Sequence, residues 1–373
     1  MHSTQKAVTS HDISAETHSS VGYTLPITME KPLVSHIYTA DPSAHVFDGK
    51  IYVYPSHDRE TDIQFNDNGD QYDMVDYHVI SLDSVSQRPA KDNGVALKAN
   101  DVPWVSKQTW APDALQNPNT GSYQLYFPAR DKDGIFRIGV AISDKPEGPF
   151  TAEPEPIQGS YSIDPCSFVD EDKQAYLYFG GIWGGQLQCW TKTPTSDLSF
   201  DSSKSGPQEP SGAGVPALFP KVGKLKAPGL LEFDGSVQDM EVLDSSTMKA
   251  LFADDHDRRF FEAPWMHKYQ GKYYFSYSTG DTHNICYAVG DSPTGPFVYR
   301  GHVLEEKHVS GWTTHHSFVE VPRGKLTDEL EGTQGSRWYL FYHDCELSGG
   351  VDHLRCVKVR EVSYDESGDI HLV

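Results

Sequence analysis

Residues 41–58 read DPSAHVFDGKIYVYPSHD, and the same sentence returns four more times along the chain. A polar head comes first, then a short apolar stretch, a turn at Asp48-Gly49-Lys50, and an aromatic run, Ile51-Tyr52-Val53-Tyr54. The other copies are APDALQNPNTGSYQLYFPAR (111–130), IDPCSFVDEDKQAYLYFGG (163–181), EAPWMHKYQGKYYFSYST (262–279) and HHSFVEVPRGKLTDELEGTQGSRWYLFYHD (315–344). Apolar and polar residues alternate within each copy, and Gly-containing turns separate the two halves, which is the pattern of paired strands. Recurrence of one strand pair at blade-like intervals predicts an all-β, five-bladed β-propeller in a single domain.

A second repeat lies inside the first. IGVAISDKPEGPF (138–150) matches ICYAVGDSPTGPF (285–297), and Tyr77–Asp83 is a weaker third version. In a four-stranded blade this is the next strand outward, ending in a fixed turn. The aromatic runs are expected to be the inner strands.

The intervals between heads are uneven, and the two long ones hold inserts. Residues 59–76 are acidic and polar; residues 193–232 are rich in Ser, Gly and Pro. Long loops without their own periodicity are commonly functional, so both are expected to crown the site. A weak helical pattern occurs around Ser245–Asp254. Residues 1–28 are polar and without period, a flexible tail ahead of a propeller spanning 29–373.

The composition narrows the partners. A formal net charge of −22 opposes nucleic acid and anionic membrane surfaces, and is indifferent to a neutral sugar. No run of about 18 apolar residues is present to span a membrane. The five cysteines (166, 189, 286, 345, 356) are scattered without a CxxC pair and read as small buried hydrophobes. The first 25 residues contain no apolar segment of a secretory signal, so a cytoplasmic protein is expected. Nothing points to an organic cofactor.

Three heads carry an acid beside a proline: Asp41-Pro42, Asp164-Pro165 and Glu262-Ala263-Pro264. One Asp-Pro is ordinary turn chemistry. Acids at the heads of three repeat units are different, because equivalent positions of every blade face one axis. Proline fixes its own backbone and biases the preceding residue to an extended conformation, so these acids are expected on rigid, extended strand starts. Glycoside hydrolysis needs one carboxyl to protonate the leaving oxygen and one to activate water or attack. A third can hold the proton on the acid by like-charge repulsion. Glu262, with the longer reach, suits the acid; Asp41 suits the base; Asp164 suits the third role.

At these residues the chain resembles glycoside hydrolase family 43, five-bladed propeller enzymes that invert configuration on β-xylosides and α-L-arabinofuranosides. The resemblance covers about residues 33–365. It implies Asp41 as general base, Asp164 as the residue that orients and tunes the proton donor, and Glu262 as general acid. The stretch TWAPDA (109–114) resembles the family's Trp-Ala-Pro-Asp/Glu motif, with Trp110 as a wall of the sugar subsite and Asp113 close by. His57 and Asp58, ending the first aromatic strand, are expected to line the pocket. Arg355 resembles a late pocket arginine that contacts substrate hydroxyls; a plain strand ion pair is its rival reading. The fifth head, Thr313-Thr314-His315-His316-Ser317, resembles a stretch whose histidine helps hold a calcium ion with waters in the central channel. His315 is the first choice and His316 the second.

The function expected from this is an exo-acting glycosidase releasing xylose or arabinofuranose from xylo- and arabino-oligosaccharides. Two alternatives stay open at this point. One is an arabinofuranosidase or exo-arabinanase without xylosidase activity; the other is a non-catalytic sugar-binding propeller, which the presence of all three acids argues against. Fructan-cleaving five-bladed enzymes carry Arg-Asp-Pro and Glu-Cys motifs, where this chain has Ile-Asp-Pro and Glu-Ala.

Overall fold

The computed structural model describes residues 31–191, 198–322 and 335–373. The tail at 1–28 lies outside them, as do parts of the inserts after residues 191 and 322. Among the described residues five sheets of four or five strands form the blades, one for each repeat, and a two-stranded sheet of Trp190–Thr191 and Ser199–Phe200 stands beside them. Blade 1 is Tyr38–Phe47, Lys50–Asp58, Asp76–Leu82 and Lys91–Lys98. Blade 2 runs Asp113–Gln116, Tyr123–Asp131, Phe136–Ser143 and Thr151–Ala152, with Val105–Lys107 added alongside its second strand. Blade 3 is Cys166–Val169, Ala175–Phe179, Lys221–Lys224 and Gln238–Asp239. Blade 4 is Phe260–Tyr269, Lys272–Thr279, Ile285–Gly290 and Phe297–Leu304, and Val242–Leu243 pairs in parallel on its outer edge. Blade 5 is His316–Val321, Arg337–Asp344, Cys356–Tyr364 and Ile370–Leu372.

The head strands, not the aromatic ones, are innermost in every blade, and the aromatic strands stand second. Large rings on the second strands pack in the wedges between blades. Tyr54, Phe127, Phe179, Phe275 and Phe341, all on second strands, are fully buried. One core layer joins blades 1 and 5 through Ile51, Val53, Val319, Phe341 and Val359; another joins blades 1 and 2 through Phe47, Tyr54, Leu125 and Phe127. Truncating such a ring to alanine costs about 3–5 kcal/mol, so the aromatic repeat is the stability repeat.

The nested repeat is the third strand of blades 1, 2 and 4, as expected. Its Pro-x-Gly-Pro-Phe turns match in conformation: Gly148 and Gly295 have φ of 82° and 78°, and Phe150 and Phe297 are both buried. The helical pattern at Ser245–Asp254 is not a helix. Those residues form a turn at 245–247 and isolated bridges, Leu243 with Ala250 and Pro216 with Phe252. Leu251 and Ala253 there are buried while Met248 and Phe252 are exposed, the alternation of extended chain rather than of a helical face.

The ring closes through a short leading segment. Leu33 N–H donates to Val357 O on blade 5, and Ala90 N–H of blade 1 donates to Leu33 O. Thr39 N–H then donates to Arg355 O. Blade 5 is built wholly from the C-terminal part of the chain, so closure depends on these contacts and the core layer beneath them. Among the described residues no helix is long and apolar enough to cross a membrane.

Candidate active site

The heads converge at one end of the axis. Asp41, Asp164 and Glu262 line a single pocket with an open volume of about 630 Å³ including its mouth. Their backbone differs from the expected extended form. Asp41 and Asp164 take left-handed conformations, with φ of 48° and 56°, despite the prolines that follow. In blade 4 the corresponding residue is Ala263, with φ of 57°, so Glu262 stands one place earlier than the two aspartates. The pairing agrees: Ser43, Cys166 and Trp265, each two residues after the left-handed position, face Tyr54, Tyr178 and Ser276 on the next strand. Irregular register between Ala40 and Ser43, and again between Glu262 and Trp265, accounts for this geometry. Such a bulge re-aims a side chain at a strand start. The longer glutamate then reaches the same pocket from one residue back.

Asp41 is the most heavily bound of the three. Arg355 donates to it twice, Nη1 to Oδ1 at 2.8 Å and Nη2 to Oδ2 at 3.1 Å. Ser56 Oγ donates to Oδ2 at 2.7 Å. Burial, the largest single influence, would raise the carboxyl, but the Arg355 guanidinium and the smaller contributions of His343 and His315 together outweigh it and hold Asp41 far below the usual carboxylate range. His343 adds less than its closeness suggests. Its Nε2 donates to Thr313 O at 3.0 Å, which leaves Nδ1 to accept the Asp41 N–H at 3.0 Å. The 3.3 Å approach of Nδ1 to Asp41 Oδ1 is then a contact without a proton between.

Glu262 is the opposite case. Its carboxyl has no hydrogen bond or ion pair among the described residues, and part of its surface stays open to the pocket. Burial, reinforced by the nearby charge of Asp41 and moderated by Arg355, pushes it up to about 8. Asp164 is also raised, by burial first and then by Glu262 and Asp41; its Oδ2 accepts the Ala263 N–H at 2.9 Å. That bond ties Asp164 to the residue beside Glu262, so the two acids are positioned as a unit. Two raised carboxyls next to one held ionised leave a proton in the site at neutral pH.

Arg355 lines the pocket, but every N–H of its guanidinium is taken by protein. Besides Asp41, Nε and Nη2 bond Asp58 at 2.8 and 2.9 Å, and Nη1 reaches Thr313 Oγ1 at 3.2 Å. Tyr72 lies against its face, 5.0 Å from ring centre to guanidinium carbon. The arginine is therefore a buried bridge between two carboxylates, which favours the ion-pair reading over contact with substrate hydroxyls. Asp58 and His57 do not line the pocket. Strand alternation sends them apart: Asp58 turns inward beneath Arg355, and His57 turns away to bond Asp76 at 2.6 Å.

Trp110 does line the pocket, though it is 9% exposed and serves mainly as an anchor. Its Nε1 donates to Tyr72 O at 2.8 Å, and its ring lies so close to Gly69 that a Cβ there would fall 2.7 Å from it. The insert at 59–76 is thereby pinned over the site, where Phe65, Asn66, Gln71, Tyr72 and Met74 form part of the wall. The Tyr72 hydroxyl is buried without a partner. The second insert behaves otherwise. Its described part, 198–232, contributes nothing to the pocket and contains the third strand of blade 3, Lys221–Lys224. Trp183, Phe261 and Trp312 complete the wall and were not singled out by sequence reasoning; Trp183 and Trp312 lie 5.6 Å apart. Their signals are a Gly-rich run after an aromatic strand, Gly180–Gly185, and large rings just before two heads. Aromatic walls with a few convergent polar groups suit sugar rings.

The two histidines of the fifth head separate. His315 faces the pocket with Nδ1 at 3.6 Å from Asp41 Oδ1, and burial pushes its ring down to about 4, so it is neutral at ordinary pH. His316 is fully buried; its Nε2 meets Ser276 Oγ at 2.6 Å and its Nδ1 has no partner. A neutral imidazole beside an ionised carboxylate fits a hydrated calcium ion, with waters supplying most of the oxygen ligands that this ion prefers. Of the pair, His315 has the geometry for it. Asp113 lies away from the pocket in the inner strands, where it accepts from Ser43 Oγ and from Ser167 Oγ (2.6 Å) and pairs with His45. Below it, all five inner strands line a channel of about 970 Å³, its mouth included, on the opposite side.

Comparison with known proteins agrees with this picture. Residues 30–198 match the profile of Glycosyl hydrolases family 43. The chain is 64% identical over 340 residues to "Xylosidase/arabinosidase 43A" of Humicola insolens, covering 91% of this chain and 98% of that protein. Among solved structures it resembles a GH43 β-xylosidase/α-arabinofuranosidase from a compost microbial metagenome, in complex with xylotriose in a calcium-free form. The TM-score is 0.79 and the identity 51%, over 92% of this chain and 96% of that one. A GH43_1 enzyme from Xanthomonas citri complexed with xylotriose gives a TM-score of 0.78 at 47% identity, over 91% and 92%.

Proposed function

The chain belongs to glycosyl hydrolases family 43 and is a glycosidase, and we propose that it is an inverting, exo-acting enzyme that releases xylose and arabinofuranose from the ends of xylo- and arabino-oligosaccharides. The observation that carries this reading is the contrast within one pocket between Asp41, gripped bidentately by Arg355, and Glu262, whose carboxyl has no partner among the described residues. Asp41 is held ionised by Arg355 while Glu262 is held protonated by burial and by Asp41. A glycosidase needs one carboxylate ionised and one carboxyl protonated at the start of turnover, and inversion is what the likeness to the family adds.

In this mechanism the terminal sugar enters the pocket against the rings of Trp183, Phe261 and Trp312. Glu262 gives its proton to the glycosidic oxygen as the bond breaks. Asp41 takes a proton from a water that attacks the anomeric carbon from the opposite face. Asp164 holds the backbone beside Glu262, and the charge that Glu262 acquires on giving up its proton raises Asp164 in turn. The unpartnered Tyr72 hydroxyl offers a donor or acceptor to a sugar hydroxyl. A calcium ion held by His315 through waters would supply positive charge beside Asp41, favouring its ionised form.

Dual specificity is supported by the names borne by the relatives above and by pocket chemistry. Xylopyranose and arabinofuranose present similar hydroxyl patterns to a small aromatic pocket with few polar contacts. The test is a side-by-side assay on p-nitrophenyl β-D-xylopyranoside and p-nitrophenyl α-L-arabinofuranoside, with Asp41→Ala as control. Hydrolysis of both, lost in the variant, is expected. Hydrolysis of the arabinoside alone would replace this reading by an arabinofuranosidase, and no hydrolysis of either would reopen the binding-only reading.

A further inference from the structure

The displaced His57 belongs to a second cluster, on the far side of its strand from the catalytic pocket. One ligand atom each of His57, Asp76 and His78 lies within 4.8 Å of the others. Among the described residues, no other group of three or more His, Cys, Asp or Glu side chains meets this closeness. The strands explain the meeting. His57 is the next-to-last residue of the second strand of blade 1, and Asp76 and His78 lie on one face of the third strand, two residues apart. The two imidazole rings stand edge to face with centres 4.6 Å apart.

The surroundings organise these rings as ligands. Asp92, on the fourth strand, accepts from His78 Nδ1 at 2.9 Å, and Gly94 N–H donates to the same carboxylate at 2.8 Å. A ring that gives Nδ1–H to a carboxylate presents Nε2 as a lone pair, the arrangement found behind metal-bound histidines. Among the described residues, Nε2 of His57 and of His78 has no hydrogen-bond partner. The other side of Asp92 is held by His36 Nε2 at 2.9 Å, from the leading segment that closes the ring. The side chains of His57, Asp76 and His78 are 22%, 17% and 12% exposed, so an ion can reach them from solvent.

We propose that His57, Asp76 and His78 form a binding site for a divalent transition metal ion of the imidazole-preferring class, such as zinc, with Asp92 positioning His78. Two nitrogens and one carboxylate are a donor set for that class rather than for calcium, which takes oxygen. In a tetrahedral zinc site, bonds of about 2.0–2.2 Å place ligand atoms about 3.4 Å apart. Drawing in ligand atoms that lie within 4.8 Å of one another needs side-chain movement on the order of 1–1.5 Å and gives up the direct His57–Asp76 hydrogen bond, and water fills the remaining position. The ion would join the second and third strands of blade 1 directly. Through Asp92 and His36 it would brace the fourth strand and the leading segment, one residue along the chain from the Asp58 that anchors Arg355.

The site is tested by equilibrium dialysis of the full, untagged chain against zinc chloride and, separately, calcium chloride, with His57→Gln/His78→Gln for comparison. Cobalt(II) absorption spectra are recorded on both proteins. The expected result is one zinc ion fewer bound by the double variant, cobalt ligand-field bands in the wild type alone, and equal calcium uptake by the two. Equal zinc uptake and identical cobalt spectra would overturn the proposal. Circular dichroism in the presence of chelator verifies that the variant is folded. Should it not fold, Asp92→Asn serves in its place, with zinc affinity expected to fall roughly 10–100-fold; an unchanged affinity would overturn the proposal equally.

Discussion

Asp41 and Arg355, 314 positions apart in the chain, meet as a bidentate ion pair at the centre of the ring, with Nη1–Oδ1 at 2.8 Å and Nη2–Oδ2 at 3.1 Å. One residue opens blade 1 and the other leads into the third strand of blade 5, so the contact forms only when the propeller closes. Closure and the ionised state of the proposed base are thus one event.

Replacing Arg355 by lysine keeps a charge but loses the planar fork that serves Asp41 and Asp58 together. The acid limb of the pH–activity profile is expected to move upward, because an aspartate beside an arginine is held down by about 1–3 pH units. Turnover at neutral pH should fall at least about tenfold, and the melting temperature should drop, since Asp58 is left buried with a poorer partner. Measuring kcat against pH separates this from plain destabilisation: an unshifted acid limb would mean that Arg355 serves only the fold.

For Glu262 the sign of the pH effect is fixed by its role. A carboxyl raised to about 8 is protonated below that pH and ionised above it. A general acid works in the protonated form, so activity should be lost as pH rises through about 8. Glu262→Gln should remove that alkaline limb and cost about 10²–10⁴ in kcat. The loss should be much smaller with a dinitrophenyl leaving group, which departs without a proton. Equal losses with good and poor leaving groups would contradict the assignment.

Acid should weaken the fold through its buried histidines. Burial pushes His267 and His283 down to about 3, and His316 is lowered as well. The unfolded chain takes up these protons near pH 6.5, while the folded one does not until far lower. Their contribution is present above about 6.5 and is lost as pH falls toward 3, by at most about 1.4 kcal/mol per pH unit for each ring. Glu262 and Asp164, being raised, act in the opposite direction, so the comparison is best made by difference. His267→Gln should be less stable than wild type at pH 7, with a gap in melting temperature that narrows by pH 5. A gap constant with pH would contradict the linkage.

Most of the fold was legible because a propeller repeats its instructions. Five heads, five turns and five aromatic runs each specify the same strand pair, so local patterns agree with the whole. What stayed hidden depends on contacts that no local pattern carries. The left-handed φ at Asp41 and Asp164 defeats the ordinary preference before proline, and at Asp41 it accompanies a register shift against the neighbouring strand. The same bulge in blade 4 puts Ala263, not Glu262, in the matching place. Lys221–Lys224 is a short strand inside a Ser-, Gly- and Pro-rich stretch, and four residues give no readable period. His57 looked like a pocket residue because it adjoins Asp58; the alternation of the strand turned it outward, to Asp76 and His78.

The most direct test of the central claim is the anomer released in the first minutes of hydrolysis, followed by proton NMR on a β-D-xyloside. An inverting pair, with Asp41 activating water opposite the bond that Glu262 cleaves, predicts α-xylose first, with the β form growing only by mutarotation. β-Xylose appearing first would mean a covalent intermediate and retention, and would contradict the account.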